Sequence, residues 1–158
     1  MPHQLALPIT RIIKENLSLV MMFAYSQPSL REFRREHFAG GWPYVDQVLF
    51  TIAEQTAMRA LIELALLFRT LDDQENIDDG SLGSVFGTLH LKNGTSSVLN
   101  MRDVANKIIH AQKHEWIFTD PKQPTLRAIA DPTDTREKWT HADIDFKTFA
   151  VGCGMLMS

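Results

Sequence analysis

Arg102, Asn106 and His110 stand at four-residue spacing in the stretch RDVANKIIHA, residues 102–111, with His114 one step further on. On a helix each such step advances about 40° around the axis, so the four side chains form one slowly winding stripe. Asp103 and Lys107 fall on the same side, while Val104, Ala105, Ile108, Ile109 and Ala111 fill the other. An imidazole titrates near neutrality and can give or take a proton. A guanidinium two turns away can hold a phosphate bidentately. This is the minimum equipment for breaking a phosphodiester without a metal.

In that chemistry His110 is the base for a ribose 2′-OH or the acid for the leaving 5′ oxygen, a role worth typically about 10²–10⁴ in rate. Arg102 stabilises the charge growing on the phosphorane oxygens, and Asn106 orients the phosphate or sets the His110 tautomer. Asp103, Lys107 and His114 are the candidate substrate contacts. One histidine cannot be acid and base at once, so His114 or a partner subunit must supply the second group. The plainer alternative is that an amphipathic helix simply turns its polar side to water. Asn100 then caps it, and Asp103 in the first turn favours the helix N-terminus.

LNMRDVANKIIHA, followed by a tryptophan-containing hairpin, resembles the higher eukaryotes and prokaryotes nucleotide-binding (HEPN) domains. The resemblance implies a small, mainly helical and usually dimeric domain. It also implies an Arg, a polar neighbour and a His on a late helix, here Arg102, Asp103 and His110. Catalytic members cut RNA without a metal ion, often with residues of both subunits. Seven residues separate Arg102 from His110 in this chain, more than the family motif normally has, and each extra residue turns the helix by about 100°. The activity implied is that of a metal-independent endoribonuclease of toxin or defence type. The alternative is a non-catalytic module of the same fold that binds nucleotide, RNA or a protein partner such as an antitoxin.

The elements that must position this helix read as helical. Residues 9–26 repeat apolar positions at helical spacing after Pro8, and a second short helix is expected from Ser29 to the Gly40-Gly41 pair. The longest pattern runs from about 43 to 71 and is apolar nearly all round in its second half, as a central helix would be. DDQENIDDGS reads as a solvated acidic loop. VFGTLHLKNGTSSVL suggests a small hairpin around Asn93-Gly94. A second is expected over residues 116–129, and THADIDFKTFAVGCGMLM is expected to close the chain as a helix capped by Thr140 with Asp143 three residues on. The expected fold is mainly α, a HEPN-like helical bundle with a small β-hairpin near the C-terminus, in a single domain over residues 1–158.

Composition narrows the classes further. A net charge of −3 gives no general attraction to nucleic acid, so RNA would need a local basic patch. The single cysteine, Cys153, excludes an intrachain disulfide and suits a reducing compartment, and no apolar run is long enough to cross a bilayer. A cytoplasmic protein is therefore expected, and the HEPN resemblance implies a homodimer with RNA or nucleotide as ligand. His3, His37, His90 and His141 show no metal-ligand spacing along the chain, and no metal or cofactor is expected.

Overall fold

The computed structural model describes residues 3–38, 40–76 and 85–156. The chain begins with a long helix, α1 (His3–His37), that passes through Pro28 without ending. A π-helical turn, Gln47–Thr51, leads into α2 (Ile52–Glu75). Two strands follow, β1 (Gly87–Leu91) and β2 (Ser96–Leu99), then α3 (Met101–His110). Strands β3 (Lys113–Ile117), β4 (Thr125–Ile129) and β5 (Trp139–Asp145) lead to α4 (Phe146–Met155).

The strands form one five-stranded antiparallel sheet in the order β2-β1-β5-β4-β3. This corrects the expected mainly α fold, a helical bundle with a small hairpin. The two hairpins do form, but β5 enters between β1 and β4 and joins them into a single sheet. Residues 139–145 are that strand and not the start of the last helix. Their buried positions at Ala142 and Ile144 alternate with half-buried His141, Asp143 and Asp145, the period of a pleated strand. The cap of α4 is Asp145, whose side chain accepts from the backbone N–H of Thr148.

One face of the sheet lies in the core. Leu126, Ala128, Ala142 and Ile144 join Leu61, Leu64 and Phe68 of α2, Val104 and Ile108 of α3, and Phe149 of α4 in one cluster. On α2 the buried residues Ala57, Ala60, Leu61, Leu64, Ala65 and Phe68 recur at helical spacing. Burying each large side chain of this kind contributes about 1.5–3 kcal/mol. The acidic stretch begins inside α2, where Asp72 is buried, so its first residues are not a solvated loop. The helix ends at Asn76, which takes a left-handed conformation with φ 50°. Residues 77–84 lie outside the described residues. No helix is long and apolar enough to cross a membrane among the described residues.

Candidate functional site on the open sheet face

Helix α3 forms where its sequence pattern places it. The Asn100 side chain accepts from the Asp103 N–H at 2.7 Å, as a cap should, and Met101, Val104, Ala105 and Ile108 are buried. The polar stripe, however, is spread among separate tasks. Arg102 donates to Asp72 and, at 2.5 Å, to Asp73, tying α3 to the end of α2. Asn106 is half-buried, and its Oδ1 has no hydrogen-bond partner among the described residues. Lys107 lies with its ammonium 4.5 Å from the centre of the Trp139 ring. His110 is exposed at the last helical position. Eight residues of rise set it about 12 Å along the axis from Arg102.

His114 is not on the helix at all. It belongs to β3, where its Nε2–H donates to the Ile108 carbonyl at 2.9 Å. Burial pushes its pKa below the usual histidine range, against a smaller upward pull from that carbonyl. Of the six residues singled out along the chain, the structure therefore brings none of the three histidine or arginine groups into a shared cluster.

A different cluster stands on the sheet face turned away from the helices. Strand alternation puts Arg127 on that face of β4 and both His141 and Asp143 on that face of β5. Register does the rest: His90 pairs with His141 across β1 and β5, and Asp143 pairs with Arg127 across β5 and β4. The two imidazoles stack with centroids 4.2 Å apart and planes 14° apart. Asp143 Oδ2 lies 3.5 Å from His90 Nε2 and 3.9 Å from His141 Nε2. Arg127 closes the group with a two-pronged contact, Nε to Oδ1 at 2.6 Å and Nη2 to Oδ2 at 2.9 Å. Glu115, opposite Arg127 on β3, adds a balancing negative charge.

The electrostatics follow from these contacts. The donated hydrogen bonds of Arg127 hold the Asp143 carboxyl below its usual range, outweighing the opposing effect of burial. Burial, then the neighbouring charge of His90, lowers His141. One residue sets its tautomer. The Thr140 hydroxyl donates to the His90 carbonyl at 3.1 Å and also lies 3.1 Å from His141 Nδ1. A hydroxyl has one proton to give; with that proton on the His90 carbonyl, Nδ1–H of His141 donates to the hydroxyl. In that tautomer Nε2 of His141 turns its lone pair toward Asp143.

Beside this group lies a cavity of about 410 Å³. Ile129, Ala130, Pro132 and Trp139 give it an apolar wall, and Lys92, Glu115, Arg127, Thr140 and His141 supply polar groups of both charges. Two smaller clefts also border Asp143. Reasoning along the chain missed His90, His141 and Asp143, because His90 lies on another hairpin and Asp143 resembled a helix-capping residue. The one available signal was His141-Ala142-Asp143 itself, since two ligand-type residues at i and i+2 share a face only on a strand. No known family model, curated protein or solved structure matches this chain. The likeness of LNMRDVANKIIHA to the HEPN motif accordingly rests on those residues alone.

Proposed function

We propose that this protein is a binding module for a phosphate-bearing nucleotide or the end of an RNA strand, and that the ligand sits on the open sheet face. The observation that carries this reading is the cavity, whose apolar wall accepts a base while the Lys92 ammonium stands beside it for a phosphate. The dispersal of the α3 stripe favours binding over helix-borne cleavage, because Arg102 is already engaged by two carboxylates. The proposal includes a homodimer, supported by exposed Leu19 and Met22 on α1 and Leu66 on α2. It also includes a cytoplasmic setting, supported by the buried free thiol of Cys153.

The test is a titration with a mononucleotide, a short RNA and inorganic phosphate. Wild type should bind the first or the second, and Lys92→Ala and Ile129→Trp, which fills the cavity, should each weaken binding about tenfold or more. Binding unchanged by both substitutions, or lost only in Arg102→Ala and His110→Ala, would overturn the placement on the sheet. A second reading, metal-independent cleavage of RNA, is favoured by the stacked His90 and His141, which supply the two imidazoles that α3 lacks. Cleavage in EDTA that disappears in His90→Ala and His141→Ala, but persists in His110→Ala, would establish it.

A further inference from the structure

We propose that His90, His141 and Asp143 form a mononuclear site for a divalent transition-metal ion of the zinc type. The three residues offer one ligand atom each, and these atoms all lie within 4.8 Å of one another. Their origin on two paired strands fixes the backbone positions: His141 and Asp143 share a face at i and i+2, and His90 is in register across the ladder; the two imidazoles turn out of their stack to aim both Nε2 atoms at one ion. A tetrahedral zinc ion with bonds of about 2.0–2.2 Å needs neighbouring donors about 3.3 Å apart. The 3.5 and 3.9 Å separations from Asp143 Oδ2 are about 0.2 and 0.6 Å wider than that spacing, a gap that small side-chain rotations close.

The hydrogen bonding points the same way independently. With the Thr140 proton on the His90 carbonyl, His141 presents its Nε2 lone pair toward the Asp143 carboxylate. In that tautomer a metal ion between Nε2 and the carboxylate relieves the repulsion of two facing acceptors, as a proton on Nε2 otherwise would. The Arg127 guanidinium meets Asp143 from the β4 side, holding the carboxylate in place. Outer hydrogen bonds of these two kinds, on a ligating histidine and on a ligating carboxylate, are what orient metal ligands elsewhere. Imidazole nitrogens select zinc, cobalt, nickel or copper over magnesium and calcium, which prefer oxygen. Three protein ligands leave a coordination position for water or a bound molecule, and His141 also lines the cavity. The site stands whether or not the cavity holds a nucleotide.

The experiment uses the full chain freed of metal with EDTA and then titrated with Zn²⁺ alone, without nucleotide. One ion per chain should bind, and His90→Ala, His141→Ala and Asp143→Asn should each weaken binding at least tenfold. Thr140→Val should weaken it by about 10–100-fold through the lost relay. Circular dichroism in EDTA checks that each variant is folded. As a measurement independent of any variant, Co²⁺ added to wild type should give the intense visible bands of a four-coordinate ion. No saturable uptake, uptake indifferent to the histidine substitutions, or only the weak spectrum of six-coordinate Co²⁺ would overturn the proposal.

Discussion

Replacing Gly87 with alanine puts a methyl group 2.2 Å from the carbonyl oxygen of Asp143 and 3.0 Å from Cα of Ile144. Both are backbone atoms of β5, so neither can swing aside like the end of a side chain. A carbon and a carbonyl oxygen approach comfortably to about 3.3 Å, so β1 must retreat by about 1 Å or abandon the φ of +157° at this position. A forced backbone conformation costs about 1–3 kcal/mol, and overpacking at a closed contact about 1–3 kcal/mol more. The expected loss for Gly87→Ala is therefore about 2–6 kcal/mol. In a domain of this size each kcal/mol moves Tm by about 2–4 °C, which gives a fall of roughly 4–24 °C. Thermal unfolding followed by circular dichroism measures it. Gly94→Ala is the matched control, because Gly94 also has positive φ, +84°, yet a Cβ there meets nothing within 4 Å. It should cost only about 1–2 kcal/mol. The effect should also reach the site, since His90 lies three residues along the displaced strand. Zinc uptake by folded Gly87→Ala should fall, while Gly94→Ala binds as wild type. Equal Tm values for the two variants would refute the close approach of β1 to β5 and with it the placement of His90.

Three further outcomes follow from individual groups. His114 has a depressed pKa in the folded protein, so the unfolded chain binds its proton more readily. Its contribution is complete above the unfolded value of about 6.5 and is lost as pH falls through that value toward the folded one. The urea midpoint should drop on acidification, and less so in His114→Gln; an identical pH slope would contradict the assignment, with His141, shifted the same way, as the remaining contributor to separate by its own variant. Cys153 is buried and its thiol is pushed up to about 12 by that burial, so a thiol reagent should modify it only after unfolding; rapid reaction in native buffer would count against the packing of α4. Arg102→Ala should lower Tm, because it strips donors from buried Asp72, and adding Asp72→Asn should recover part of the loss. A variant as stable as wild type would return Arg102 to the list of free functional groups.

Where the sequence could be read locally, it was read well. Asn100 caps α3 as its side-chain chemistry requires, and Asn93-Gly94 makes the tight turn between β1 and β2, with Gly94 at positive φ. The long apolar pattern of α2 is central to the core. Errors arose where two local grammars overlap. Thr140 with Asp143 three residues later matches a capping box, yet the same seven residues alternate as a strand, and only the ladder partners β1 and β4 decide between them. The helix rule was correct about a cap and misplaced it: Asp145 does that work a few residues on. The second short helix expected from Ser29 is instead the continuation of α1, which runs through Pro28 to His37.

The same ambiguity hid the site. On a helix beginning at Thr140, His141 and Asp143 would point about 200° apart and share nothing. On a strand they share a face, and a third residue in register completes the group. His90 is that residue only because β5 inserts beside β1, a long-range pairing that no local periodicity encodes. The α3 stripe had the reverse fate: its spacing was legible, but its partners were not. Asp72 and Asp73, read as part of a loose acidic loop, are the last turn of α2 and hold Arg102. A polar residue type and a helical spacing define what a side chain can do. Whether it is free to act depends on what tertiary structure places opposite it: here Arg102 is tied to the end of α2, while His90, His141 and Asp143 meet on the open sheet face.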